Sequence, residues 1–306
     1  MTEKERQLVV DLLRSAPDPT SMSIAELRAM FDQTGTITKP PEDVVLEQTK
    51  IGGVTAEWSS TPDADPTTAL LYLHGGGFQF GSAASHRGLV TQLGSLAGVR
   101  TLALEYRLAP ENRFPCQLED AVAGYRDLLD QGLDPARIAI AGDSAGGGLA
   151  IATLVALRDA ALPLPGATLC LSPWVDMMLD GESMSTNEAL DPVVSRNALC
   201  RMASQVMAEH DLRDPRATPI LADLTGLPPV LIQVGSHEVL LDDATRLAAR
   251  LAYSDVAVRL EVWPRMPHVW HLYSGILSEG WAALRQAADF VRERIRGQTQ
   301  RRDDRP

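Results

Sequence analysis

The stretch that decides the fold is Arg137-Ile138-Ala139-Ile140-Ala141-Gly142-Asp143-Ser144-Ala145-Gly146-Gly147-Gly148. Apolar residues in its first half predict a short strand, and the alanine-rich residues from 149 to 158 predict a buried helix. Ser144 stands between them in the pattern G-x-S-x-G. At so tight a turn the serine backbone is strained, and side chains at Gly142 and Gly146 would collide with the neighbouring strand and helix. The pattern therefore predicts a nucleophile at the tip of a strand-to-helix turn.

The pentapeptide alone does not settle the matter. Glycine and serine are common, so G-x-S-x-G occurs by chance roughly once in ten chains of this length. The alternative interpretation is a glycine-rich turn with a surface serine. The context on either side of the turn has to decide.

Strands and helices alternate along most of the chain. The chain begins with helical patterns at 4–15 and 23–34. These are followed by a β pattern at 44–47 and 54–58 and by a polar turn at 62–66. Further strands are predicted at 69–73, 101–106, 167–172, 229–234 and 258–262, besides the one before Ser144, with helices at 86–96, 117–130, 242–253 and 279–295. Apolar strands alternating with helices predict an α/β fold, with a mainly parallel sheet of about eight strands and helices on both faces.

One interval breaks this alternation. About 55 residues separate the strand ending at Ser172 from the strand starting at Pro229, and they include a helical pattern at 195–209. The interval is too long for a crossover and too short for a domain. We therefore expect an insertion that covers the carboxyl edge of the sheet.

Composition excludes several classes of function. The net charge of −12 without a lysine-rich run argues against nucleic acid as a partner. No stretch approaches the ~20 apolar residues of a membrane span, and the charged N-terminus lacks a signal core. The three cysteines lack metal-ligand spacing and are expected to be reduced, mostly buried thiols. A cytoplasmic protein without a metal, a cofactor or a membrane partner is predicted.

A glycine loop supplies candidate donors for an oxyanion. The strand at 69–73 leads into His74-Gly75-Gly76-Gly77, where backbone amides can point into a cavity without interference from a Cβ. We predict that Gly75, Gly76 and Gly77, with the amide of Ala145, form the oxyanion hole. The alternative is a plain glycine turn.

The base and its orienting acid are sought in the loops after the last two strands. In the chain order serine, acid, histidine, the histidine follows the last strand, which selects His268, or else His271, among the six histidines. The acid follows the preceding strand, where Glu238 is nearest to the strand end. Asp242 and Asp243 stay open as alternatives, although a helix start is reason enough for carboxylates there.

Taken together, the motifs resemble the bacterial hormone-sensitive-lipase family of esterases within the α/β-hydrolases. The likeness covers about residues 45–295 and depends on four segments: His74 to Phe78, Tyr106 to Glu111, GDSAG at 142–146, and Pro267-His268. The family usually has aspartate as the acid, where this chain has Glu238. The resemblance implies a cap formed by the helices at 1–40 and an inserted helical segment at 177–217. Dimers through a sheet edge are common among relatives, so it also implies a possible homodimer of this kind. The core is then 41–176 and 218–297, followed by a disordered tail at 298–306.

The sequence therefore predicts a serine carboxylic ester hydrolase for short-chain acyl esters, with the triad Ser144, His268 and Glu238. Two alternatives are a hydrolase of small alicyclic lactones with the same groups and a ligand-binding receptor on the same fold. An intact triad argues against the receptor. Four residues next to the motifs are predicted to contact the substrate: Phe78, Asp143, Trp174 and Val269.

Overall fold

The structure is a computed structural model that describes residues 3–17 and 22–296. The tail predicted to be disordered, 298–306, lies outside the described residues. Within those ranges, none of the helices combines the length and the apolar character needed to cross a membrane.

One sheet of eight strands runs through the described part of the chain. Its strands are β1 (Val45–Ile51), β2 (Val54–Ser60), β3 (Asp65–Leu73), β4 (Val99–Leu104), β5 (Ile138–Asp143), β6 (Ala167–Leu171), β7 (Val230–Gly235) and β8 (Val258–Trp263). Their order is β1-β2-β4-β3-β5-β6-β7-β8, antiparallel at the first two pairings and parallel at the rest. The predicted mainly parallel α/β fold is confirmed.

Helices cover both faces of this sheet. They are α1 (Glu3–Arg14), α2 (Ile24–Asp32), α3 (Ala83–Ala97), α4 (Cys116–Asp130), α5 (Ala145–Asp159), the single turn α6 (Ser183–Thr186), α7 (Arg196–Met207), α8 (Leu241–Tyr253) and α9 (Ser278–Ile295). Side chains alternate along β3: Leu70 and Tyr72 pack in a core with α3 and α9, and Leu71 and Leu73 pack in a second core with α4, α5 and α8. Burial on both faces explains why the parallel strands are continuously apolar.

Two local predictions had different outcomes. Ser23 followed three residues later by Glu26 is the sequence pattern of a capping box, and these two residues form that reciprocal box at the start of α2. The predicted polar turn at 62–66 is partly wrong, because β3 already begins at Asp65. The amide of Asp65 donates to the carbonyl oxygen of Gly98, directly before β4, at 3.0 Å. Pairing with this segment therefore outweighs the local preference for a turn.

The inserted segment contacts the loops at the carboxyl edge of the sheet. In α7, the carbonyl oxygen of Val206 accepts from Phe114, and that of Met202 accepts from the side chain of Gln79. From the N-terminal helices, Arg28 donates to the carbonyl oxygens of Gln79 and Ala109. These contacts support the predicted cap, and its division from the core stays a prediction.

The cysteine expectation is only partly right. Cys170 is buried, but Cys116 is half-buried and Cys200 is exposed, and all three are free thiols. Cys170 alone faces the packed interior of the sheet, whereas the other two lie on helices with a solvent side. In the part of the chain that the structure describes, β1 and β8 are the edge strands of the sheet, and dimer formation through a sheet edge stays a prediction.

Candidate active site

Ser144 lies at the turn between β5 and α5, with φ 53° and ψ −121°, a strained combination for a residue with a Cβ. The flanking glycines leave no room for side chains. A Cβ on Gly142 would lie 2.3 Å from the Gly146 carbonyl oxygen, and one on Gly146 would lie 1.9 Å from that of Leu73. The turn therefore requires glycine on both sides for the steric reason that the spacing indicates.

A histidine and a carboxylate from two other loops meet at the same edge of the sheet. The Nδ1 atom of His268, after β8, lies 2.8 Å from Oε2 of Glu238, after β7. The second carboxylate oxygen, Oε1, accepts from the Ser172 hydroxyl at 2.7 Å and from the Gly235 amide at 2.5 Å. Both oxygens of the acid are thus hydrogen-bonded, and the Glu238 side chain is fully buried.

Burial and pairing act in opposite directions on these two groups. Burial raises the pKa of Glu238 above its ordinary value, although the hydrogen bond to His268 opposes that rise. For His268, burial lowers the pKa, but the hydrogen bond and charge of Glu238, with the charge of Asp191, outweigh it and raise the pKa above the ordinary value. The pair therefore favours an imidazole that is readily protonated beside an ionised carboxylate.

The alternative acids have other partners. Asp242 accepts from the Ser183 amide at 2.9 Å, which ties it to the inserted segment. Asp243 accepts from the amides of Val175 and Asp176 at 2.9 and 3.0 Å. Of the three candidates, the structure brings Glu238 to His268.

The alternative histidine lies elsewhere as well. The Nε2 atom of His271 lies 3.0 Å from Oε1 of Gln233, within the packed interior. Burial lowers the pKa of His271 to about 3, so it is neutral at ordinary pH. This environment is that of a structural histidine.

In the glycine loop, the amide of Gly75 already has an acceptor, whereas the amides of Gly76 and Gly77 have none among the described residues. The amide of Gly75 donates to Oδ1 of Asp143 at 3.0 Å. Gly76 and Gly77 have φ of 105° and 58°, and within residues 3–17 and 22–296 no acceptor takes a hydrogen bond from their amides or from that of Ala145. The three free amides, rather than that of Gly75, are therefore available to an oxyanion.

Asp143 fixes the glycine loop through its hydrogen bond from the Gly75 amide. Its carboxylate accepts from the Tyr72 hydroxyl at 2.8 Å and lies 3.1 Å from Nε2 of His86, in addition to its bond to Gly75. Burial would raise the pKa of Asp143, but these partners outweigh it and leave the pKa below its ordinary value. Asp143 is 2% exposed and its carboxylate is occupied by these partners, and its predicted contact with substrate stays a prediction.

A small cavity lies between Phe78, the residue directly after the glycine loop, and α5. Its volume is about 20 Å³, space for one or two water-sized groups. It is lined by Phe78, Gly148, Leu149 and Ala152, together with Phe114, Gln117, Leu118, Met177, Val206, Arg216 and Ala217. Among the predicted substrate contacts only Phe78 lines this cavity. Trp174 packs against Phe78 with ring centroids 6.1 Å apart, and Val269 is buried beside His268.

Sequence reasoning missed the cavity residues of α4 and α5 and the serine that binds the acid, Ser172. Leu149 and Ala152 are three residues apart on one face of α5, which the motif at its start could have drawn attention to. For Ser172, the available signal is a polar residue directly after an apolar strand. Among the described residues, no cluster of His, Cys, Asp and Glu has the arrangement of a metal site.

Comparison with known proteins places this site in a family. Residues 70–272 match the family with the alpha/beta hydrolase fold. An acetyl-hydrolase of Streptomyces hygroscopicus is 46% identical over 296 residues, which are 95% of this chain and 97% of that protein. An esterase of the bacterial hormone-sensitive lipase family superimposes with a TM-score of 0.93 at 42% identity, covering 96% of this chain and 99% of its own. A structure of the esterase EstE5 soaked with p-nitrophenyl butyrate has a TM-score of 0.91 at 39% identity, with 96% and 99% covered. The chain belongs to the bacterial hormone-sensitive-lipase family of α/β hydrolases.

Proposed function

We propose that this chain hydrolyses short-chain carboxylic esters with Ser144 as nucleophile, His268 as general base and Glu238 as the orienting acid. The observation that carries the proposal is the 2.8 Å contact between His268 and Glu238 at the edge of the sheet where Ser144 is held in its strained turn. Three loops that are far apart in sequence supply the three groups. A nucleophile, a base and an orienter in this order are the parts that acyl transfer requires.

The reaction proceeds in two halves. His268 takes the proton of the Ser144 hydroxyl as the oxygen attacks the ester carbonyl, and Glu238 stabilises the imidazolium that forms. The free amides of Gly76, Gly77 and Ala145 donate to the oxyanion of the tetrahedral intermediate. His268 then protonates the leaving alcohol, and water, deprotonated by the same imidazole, releases the acid from the acyl-enzyme.

Two relatives support a preference for short acyl groups. One is the acetyl-hydrolase, and the other is the esterase EstE5, which was soaked with p-nitrophenyl butyrate. A lactone would use the same three groups, with its ring oxygen as the leaving group.

The test is Ser144→Ala assayed with p-nitrophenyl acetate, p-nitrophenyl butyrate and a panel of lactones. The variant removes the nucleophile and no core contact, so we expect kcat to fall about 10³-fold or more with an unchanged unfolding midpoint. If the pure, folded variant keeps more than about a tenth of the activity, the assignment is wrong. Higher kcat/KM of the wild type on lactones than on esters would make the chain a lactonase.

A further inference from the structure

Ser172 is a buried serine directly after β6, the strand between the nucleophile strand β5 and the acid strand β7. Its φ of 49° lies in the left-handed region, which serine rarely adopts. Its own amide donates to the Gln233 carbonyl oxygen in β7 at 2.7 Å. The strained backbone is thus fixed at a position between two of the loops that supply the active site.

The hydroxyl of Ser172 joins the acid loop to the histidine loop. It donates to Oε1 of Glu238 at 2.7 Å and accepts from the Val269 amide at 3.2 Å. Val269 is itself in a left-handed conformation, with φ of 46°, and directly follows His268. One hydroxyl therefore holds the carboxylate and the backbone next to the imidazole in a single arrangement.

The same position is also coupled to the nucleophile. The carbonyl oxygen of the preceding residue, Leu171, accepts from the Ser144 amide at 2.9 Å. Residues 171–172 therefore contact the nucleophile turn, the acid and the histidine loop. Such a junction fixes the mutual geometry of groups that catalysis needs within a few tenths of an ångström.

We propose that Ser172 is a positioning residue of the catalytic triad, which acts by holding the Glu238 carboxylate and the His268 loop in register through one hydroxyl. This inference rests on the proposed triad. Ser172 does not touch substrate, because its side chain is fully buried. Its effect reaches the reaction through the two groups that it holds. The donor to Oε1 stabilises the ionised carboxylate that orients the imidazole, and the bond from the Val269 amide fixes the loop that carries His268.

The experiment compares Ser172→Ala with Ser172→Gly. Both remove the hydroxyl, but glycine adopts the left-handed backbone without strain whereas alanine does not. We expect both variants to lose about 10- to 100-fold in kcat on p-nitrophenyl butyrate, the loss of one hydrogen bond to a charged group, with little change in KM. The glycine variant should nevertheless melt about 2–4 °C above the alanine variant.

The pH profile supplies a readout that a purely structural role would not change. Without the Ser172 hydroxyl, the ionised Glu238 carboxylate is less stable, so the pair of Glu238 and His268 takes up a proton more readily. The acid limb of kcat/KM should therefore move to higher pH in both variants. In the wild type the acid limb should follow the protonation of the His268 imidazole alone.

A matched control is Ser183→Ala. Ser183 is also a buried serine that donates one hydrogen bond and accepts one, but to the backbone of Val239 and Asp242. This variant should lose stability and leave the acid limb where it is. If Ser172→Ala and Ser172→Gly keep the wild-type kcat and pH profile, or if kcat follows melting temperature across the variants, Ser172 is only structural. That result would leave the Ser144→Ala test of the triad unaffected.

Discussion

Replacement of Glu238 by glutamine tests the least expected residue of the site. The glutamate carboxylate accepts three hydrogen bonds, one from His268 through Oε2 and two from Ser172 and Gly235 through Oε1. In Glu238→Gln the amide oxygen must stay with the two donors, because the amide nitrogen would face them unfavourably. The NH₂ group then faces Nδ1 of His268.

This arrangement forces the wrong tautomer. When Nδ1 of His268 accepts a hydrogen bond from the glutamine, the proton of the neutral imidazole is on Nε2. Nε2 then has no lone pair with which to take the proton of Ser144. We expect kcat to fall by roughly 10²–10⁴-fold, which corresponds to about 3–5 kcal/mol in the activation free energy. The pKa of His268 should also fall, since the carboxylate is what raises it against burial. The acid limb of kcat/KM should therefore move to lower pH, opposite to the shift expected for Ser172→Ala.

The assay is steady-state hydrolysis of p-nitrophenyl butyrate between pH 5 and 9 on variants with equal unfolding midpoints. The matched control is Asp242→Asn, which alters the contact with Ser183 and a favourable charge at the start of α8, a contribution of under ~1 kcal/mol. We expect little loss of kcat there. If Asp242→Asn loses more activity than Glu238→Gln, then Asp242 is the triad acid and the reasoning is refuted.

Two further predictions concern the cap and a buried acid. Activity should peak at acyl chains of a few carbons and be poor on emulsified long-chain triglycerides, because we expect the methionines of the inserted segment (Met177, Met178, Met184, Met202 and Met207) to close over the site. Met177 lines the cavity and Met202 packs on Gly77. A chain-length series checks this, and a preference for long-chain lipid would contradict it. Burial raises the pKa of Asp243 to about 8 in the folded protein, whereas an aspartate in the unfolded chain loses its proton near pH 4. Because the folded state holds the extra proton between these values, the free energy of unfolding should fall as pH rises from about 4 to 8. Urea unfolding of Asp243→Asn should show a smaller decline over that range, and an equal decline would mean that Asp243 is not the group responsible.

Much of the fold could be predicted because its signals are local. The strands of the parallel sheet are apolar on both faces, and the turn at Ser144 tolerates only glycine beside it. The predicted helices and strands therefore match the observed ones to within a few residues. The turn predicted at 62–66 was partly wrong, because Asp65 pairs with Gly98 and Val99 at the start of β4. The sequence around Asp65 gives no sign of a pairing partner that distant.

The sequence by itself determined the nucleophile turn, the glycine loop and the order in which the site residues follow the strands. These depend on backbone sterics and on the common carboxyl edge of parallel strands. Only the tertiary structure decided which carboxylate reaches His268. Asn187 donates to the carbonyl oxygen of Glu238 and Asp191 accepts from the Val239 amide, so the inserted segment fixes how the acid loop turns.

The same holds for the amides of the glycine loop. Asp143, which is 68 residues away in sequence, accepts from Gly75 and leaves Gly76 and Gly77 free. Ser172 is 66 residues from the carboxylate that it binds. The direction of a side chain or amide in a loop depends on such distant partners, because the local sequence permits several backbone conformations of similar energy and long-range hydrogen bonds select one.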